Sequence, residues 1–178
     1  MNEPHEAPLT DGTIVLRPLG LDDIDAHFAG EDDDLVRWLN GGHGTVESVR
    51  AHIVRTMGWW EAGGPIFGFS IRIVPDHTLV GTIDVQLHQP FLSKRQANLA
   101  YGIYPAWRRQ GIATRAVVLA CEFLRRRSDV GEAVIRAEPD NPASAAVARS
   151  AGFTFSHRTN DEHGRYDWYL LPIRQTVR

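Results

Sequence analysis

The stretch that most constrains this chain runs from Ala97 to Thr114, ANLAYGIYPAWRRQGIAT, and continues in unbroken helical period to Arg127. Ala97, Leu99, Tyr101 and Ile103 alternate with Asn98, Ala100 and Gly102, which predicts a strand. Ala113, Ala116, Val117, Ala120, Cys121 and Leu124 then follow helical spacing. A strand that passes through Arg108-x-x-Gly111-x-Ala113 straight into a helix aims several backbone N–H groups and the positive end of the helix dipole at one point. Such a point suits an anion, and a pyrophosphate in particular. Gly111 lets backbone approach the phosphates, small Ala113 keeps a side chain out of the way, and Arg108 and Arg109 add positive charge. No Lys-Ser/Thr pair follows the glycine, so a phosphate loop of the nucleotide-hydrolase type is excluded.

The elements around this turn alternate between helical and strand periods. Thr13–Pro18 is β-rich, and Leu21-Asp22-Asp23 opens a helix with carboxylates at its positive end. A short helix is expected over Asp33–Leu39, and a longer one to about Trp60 with Thr45-x-x-Ser48 as its cap. From Ile66 the period becomes two: Phe67, Phe69, Ile71 and Ile73 form one face, and after a Pro75-Asp76 turn a strand covers Leu79–His88. In that strand Asp84, Gln86 and His88 oppose Ile83, Val85 and Leu87; an antiparallel partner at Ala97–Ile103 would set Gln86 beside Asn98. Further on come a strand at Ala133–Ala137, a helix starting at Pro142 under an Asn141 cap and stopped by Gly152, and a hairpin of Phe153–Thr159 with Tyr166–Pro172.

With 178 residues, 43% of them apolar, one domain over 1–178 with its core at about 12–172 is expected, preceded by a loose leader at 1–10. The net charge of −3 gives no electrostatic reason to expect nucleic acid. Cys121 is single and falls in an apolar helix, which favours a packed thiol over a nucleophile. The start MNEPHEAPLT has no basic or apolar run, nothing later approaches a membrane span, and no His/Cys/Asp spacing suggests a metal. A cytoplasmic protein is therefore expected, as a monomer or a homodimer paired through an open sheet edge.

The anion turn, its flanking strands, and Asn141-Pro142-Ala143-Ser144 leading to Ala151-Gly152-Phe153 together resemble the GNAT superfamily of acyl-CoA-dependent N-acetyltransferases. The phrase TIVLRPL is similar to the first strand of the branch that contains the ribosomal-protein alanine N-acetyltransferases. The resemblance covers roughly residues 12–172. It implies an α/β fold with a mixed, mostly antiparallel sheet of about seven strands, splayed before the anion turn and flanked by four to five helices. It also implies acetyl-CoA as cofactor. The pantetheine arm would bond to backbone around Ile103 and Tyr104, and the pyrophosphate to the amides of Gln110, Gly111, Ile112, Ala113 and Thr114, with Arg108 and Arg109 near the phosphates. Asn141 and Ser144 would lie on the pantetheine side.

Acetyl transfer to an amine needs a neutral amine, an oxyanion stabiliser and a proton for the departing thiolate. Many members of the family carry a tyrosine seven residues after the asparagine; here that position is Ala148, and Ser144 matches the serine of the ribosomal-protein branch. Relatives often place glutamate where this chain has Asn98, which cannot take a proton, so Asp84 is the candidate base, directly or through water. His43 and His88 are candidate relays, and the Glu31–Asp34 run would favour a cationic acceptor. The acceptor stays open between a protein N-terminus, an aminoglycoside-like antibiotic and a small metabolite. The alternative is a regulatory module that binds acyl-CoA without turnover.

Overall fold

The computed structural model describes residues 8–40, 42–162 and 164–174. Most of the leader expected at 1–10, residues 1–7, lies outside the described residues; its end, Leu9–Thr10, is a short strand, β1. The others are β2 (Ile14–Pro18), β3 (Ile66–Ile73), β4 (Leu79–Leu87), β5 (Gln96–Ile103), β6 (Glu132–Ala137), β7 (Thr154–Asp161) and β8 (Gly164–Pro172). All eight form one sheet in the order β1-β2-β3-β4-β5-β6-β8-β7. The strand beyond the seven expected is β1, paired antiparallel to β2 through Leu9↔Leu16 and Thr10↔Val15. Every pairing is antiparallel except β5 with β6, because the chain between those strands crosses over as a helix.

Among the described residues five α-helices flank the sheet: α1 (Ile24–Ala29), the single turn α2 (Asp33–Leu35), α3 (Val46–Glu61), α4 (Ile112–Arg125) and α5 (Pro142–Ser150). The cap expected at Thr45 is present, its side chain accepting from the Ser48 amide at 3.2 Å while Ser48 Oγ accepts from the Thr45 amide at 2.8 Å. The helix expected over Asp33–Leu39 is instead α2 followed by a wider helical segment, Val36–Asn40.

Alternation in the strands sorts the helices onto two faces. Phe67, Phe69, Ile83, Val85, Leu99 and Ile103 turn to one face and form a core with Ile112, Ala116, Val117, Ala120 and Leu124 of α4. Helix α5 lies on the same face, against β6 and β8. Burying a leucine or phenylalanine side chain in such a core is worth about 1.5–3 kcal/mol. The other face of β3 and β4 receives α1 and α3. Trp60, at the end of α3, wraps the sheet edge: it packs on Phe67, Phe69 and Phe123 with centroids 4.9, 5.0 and 5.9 Å away and donates its indole N–H to Gly68 O at 2.9 Å. Cys121 is a core residue, 1% exposed, and burial pushes its thiol up to about 12, so it packs and carries no reactive thiolate.

Candidate active site

Strand β5 leaves the sheet through a 3₁₀ turn at Pro105–Trp107 and enters α4 at Gly111, whose φ of +73° is the left-handed conformation that glycine adopts without strain. A β-carbon placed on Gly111 would meet nothing within 4 Å. The glycine is therefore required by the backbone conformation, and the space over it is open. No side chain caps α4, so the amides of its first turn, from Ile112 through Thr114, project from an uncapped N-terminus. The backbone turn expected from the sequence is therefore present.

The arginine charge is distributed differently. Arg108 forms a bidentate pair with Asp32, both N–O distances 2.7 Å, reaches Asp34 at 3.2 Å, and donates through Nε to Ile103 O at 2.9 Å. Its guanidinium thus staples the anion turn to α2 and β5. The hydrogen bonds from Arg108 hold the Asp32 carboxyl below its usual range. The acidic run accordingly presents less unpaired charge than its sequence suggests, since Glu31 also accepts from the Gly44 amide at 2.8 Å. Arg109, with φ of +61°, sits in the turn itself.

Strands β5 and β6 pair only through Gln96↔Glu132, Ala97↔Ala133 and Asn98↔Val134. Beyond them β5 stays joined to β4 as far as Ile103, and β6 stays joined to β8 as far as Ala137. A cleft opens between them, which is the expected splay. The Tyr104 amide donates to Val80 O at 2.9 Å; by the alternation of an antiparallel ladder, the backbone groups of Leu99, Tyr101 and Ile103 point the other way, toward the cleft, where the Ile103 carbonyl already accepts from Arg108 Nε. Tyr104 itself does not offer its backbone there: its carbonyl accepts from the Trp107 amide at 2.9 Å. An extended chain bearing amides fits such a strand edge, because buried backbone groups require partners.

The sheet face under α1–α3 carries the titratable groups. Asp84 lies between Gly68 of β3 and Ala100 of β5. A β-carbon on Gly68 would stand 2.5 Å from Thr56 Cγ2 and 3.1 Å from Asp84 Oδ1, so this glycine lets α3 descend onto the carboxyl. Asp84 is half-buried, and the partial loss of solvent pushes it up to about 7. Gln86 faces Asn98 in the expected register, and Asn98 Nδ2 donates to Gln86 Oε1 at 2.9 Å. Asn98 is 6% exposed, and its Oδ1 has no hydrogen-bond partner. Farther along the same face, a small pocket is lined by His27, Glu31, Leu35, Thr82, Gly102 and Tyr104. Within it His27 Nδ1 and Tyr104 Oη are 2.7 Å apart. Burial, and next the neighbouring His52, lower the His27 pKa, so the ring is neutral. The histidines named from sequence lie elsewhere: His88 is exposed, and His43 is exposed between Glu31 and Asp33 at 3.4 and 3.5 Å.

Across the sheet, Asn141 caps α5, its Oδ1 accepting from the Ser144 amide at 3.1 Å. Ser144 Oγ is 3.0 Å from the phenol oxygen of Tyr101, which reaches over the cleft from β5. Sequence reasoning passed over Tyr101 because its alternation marked it as a core residue. It also passed over His27, which no motif singles out.

A gap in the middle of a mixed sheet and an uncapped helix start at its mouth are the features that comparison with known proteins can place. The Acetyltransferase (GNAT) domain model matches residues 13–154, and the chain belongs to this family, whose acetyl donor is acetyl-CoA. Its fold is similar to a RimL ribosomal L7/L12 alpha-N-protein acetyltransferase in complex with coenzyme A, at 20% identity and TM-score 0.80 over 93% of this chain and 97% of that one. It is also similar to a putative ribosomal-protein-serine acetyltransferase from Vibrio cholerae, at 18% identity and TM-score 0.76 over 94% and 98%. A third likeness is to AAC(6')-Ib in complex with paromomycin and acetyl-CoA, at 12% identity and TM-score 0.77 over 90% and 93%. No curated protein matches the sequence. Among the described residues, no helix is long and apolar enough to cross a membrane, and no group of three or more His, Cys, Asp or Glu could hold a metal.

Proposed function

We propose that the protein acetylates a primary amine by direct attack in a ternary complex, the donor entering on the α4–α5 face of the sheet and the amine on the α1–α3 face. The observation that carries this reading is Asp84, a half-buried carboxyl pushed up to about 7, one strand from the cleft on the face away from the anion turn. A base is most effective when its pKa lies near the working pH. Acetyl-CoA supplies the activated carbonyl and the thiol leaving group.

The chain's own groups then have distinct parts. The amides of Gln110 to Thr114 cradle the pyrophosphate with Arg109 nearby, while Arg108 acts at one remove by fixing the turn to Asp32. Backbone of Leu99, Tyr101 and Ile103 lines the pantetheine path, and Asn141 shapes its far wall as the cap of α5. Asp84 takes a proton from the incoming ammonium, directly or through water. Asn98 Oδ1, buried without a partner, accepts an N–H of the acceptor or of that water, and Gln86 holds its amide in place. Ser144 stands where the departing sulfur needs a proton. With Asp84 available, Asn98 in place of a carboxylate does not remove the base, which favours turnover over a regulatory module.

The solved neighbours act on a ribosomal protein N-terminus and bind an aminoglycoside, and the acceptor here is taken from the same class of primary amines. Thiol release from acetyl-CoA against a panel of peptides with free N-termini, aminoglycosides and polyamines tests the reading. Amine-dependent release that Asp84→Asn suppresses is the expected result. Tight acetyl-CoA binding without release by any amine would return the protein to the regulatory reading.

A further inference from the structure

The phenol of Tyr101 is placed on β5, the near wall of the cleft, and Ser144 on the first turn of α5, the far wall. Their oxygens meet at 3.0 Å, and the phenol also lies 3.4 Å from Ser144 O. This is a side-chain bridge across the one gap in the sheet, 43 residues apart in sequence. The Ser144 amide is already engaged by Asn141 Oδ1 at 3.1 Å. The serine is therefore fixed from two directions, by its backbone to the cap and by its hydroxyl to the phenol.

Resting on the acetyl-transfer reading, we infer that Tyr101 is a positioning residue that holds Ser144 Oγ as a proton donor to the leaving sulfur and resupplies its proton. As the bond between amine nitrogen and acetyl carbon forms and the carbon–sulfur bond breaks, the Ser144 hydroxyl proton passes to sulfur. The Tyr101 phenol proton passes to Ser144 Oγ, and water restores the phenol while taking up the proton that the amide nitrogen sheds, so that one N–H proton is lost for each S–H formed. The 3.0 Å contact suits this order when the phenol is the donor, since the serine then keeps its own proton for the cleft that its helix turn borders. Burial pushes the phenol up to about 12, so it remains a protonated donor throughout the working pH range. The relay also accounts for Ala148, which is fully buried in the α5 core contact and brings no hydroxyl to this wall.

The test compares coenzyme A with desulfo-coenzyme A by calorimetry, at a pH where the thiolate is populated. Wild-type protein should bind the thiolate form roughly tenfold more tightly, as a hydrogen bond to a charged group allows. Both Tyr101→Phe and Ser144→Ala should lose that preference while keeping their affinity for the desulfo compound. A merely structural tyrosine would weaken both ligands alike. In turnover, Tyr101→Phe should lower kcat about tenfold with little change in KM for acetyl-CoA, and the double variant should be no slower than Ser144→Ala, since groups that act as a unit are not additive. An undiminished thiolate preference in Tyr101→Phe, or effects that multiply in the double variant, overturns the relay and leaves acetyl transfer standing. Failure of the wild-type protein to bind either compound would overturn the acetyl-transfer reading, and the relay with it.

Discussion

The two faces of the sheet meet at the same cleft but are built from different materials. On the α4–α5 face the polar groups are backbone amides held by a short-range turn and cap, with two hydroxyls, Tyr101 and Ser144, paired across the gap. On the α1–α3 face they are side chains that titrate or pair, namely Asp84, Asn98, Gln86 and His27, and burial determines their state. A fixed array of amides suits one invariant anionic handle, whereas a desolvated carboxyl suits proton transfer with an amine. The division teaches that donor recognition rests on local conformation and proton chemistry on packing.

The largest effect expected from breaking one side without the other is at the anion turn. Gly111→Glu forces a side chain into φ +73° and puts a carboxylate over the amides. Acetyl-CoA affinity should fall by roughly a hundredfold or more, since both strain and charge oppose the phosphates. Calorimetry measures the loss, and an unchanged circular-dichroism spectrum shows that the fold survives. Wild-type affinity in this variant would remove the turn from the donor site.

Next in size is Asp84→Asn, which should lower kcat by about a hundredfold, the lower end of the range for a positioned base. The acidic limb expected for wild-type activity near pH 7 should be absent from the variant, while acetyl-CoA affinity holds. The same substitution has a stability signature. The folded pKa of about 7 lies above the unfolded 3.8, so this group's contribution to stability is fully present below the lower value and is lost as pH rises through the higher one. Relative to wild type, Asp84→Asn should therefore gain melting temperature progressively from about pH 4 to about pH 7 and then level off. A pH-independent difference would show that the carboxyl is solvated.

Ser144→Ala is expected to cost roughly ten- to a hundredfold in kcat, less than a full acid–base contribution because water can substitute. The measurement that checks it is KM for acetyl-CoA, which should barely move. The smallest effect belongs to the staple between the faces. Asp32→Asn removes the charge and one acceptor oxygen of the bidentate Arg108 pair while leaving an amide oxygen that still caps the Leu35 amide, and both groups are partly exposed. A loss of about 1 kcal/mol in denaturant unfolding is expected, shrinking as salt rises. Because Arg108 holds the Asp32 pKa low, this contribution is present above the ordinary carboxylate pKa and is lost as pH falls through the lowered one.

Much of the local structure on both faces was legible in the chain before folding. Alternation at Ala97–Ile103, the glycine of the anion turn and the caps at Thr45 and Asn141 are relations within a few residues, so period and residue type reveal them. Even the Gln86–Asn98 contact could be read, because one hairpin with period two leaves few registers. The Arg108–Asp32 pair could not: both residues were singled out, Arg108 for phosphates and Asp32 for a cationic acceptor, and neither assignment anticipated that they bind each other across 76 residues.

What the sequence by itself determined, then, is the order of elements, the faces of the strands and the conformation of the anion turn, all consequences of local sterics and hydrophobic period. Only the tertiary structure decided the charge and partnership of the reacting groups. Asp84 titrates near neutrality because α3 descends over Gly68. Tyr101 meets Ser144 because β5 and β6 part while α5 leans over the gap. A side chain's proton affinity and its hydrogen-bond partner depend on which distant segment excludes water from it, and the spacing of residues along a chain carries no record of that distance.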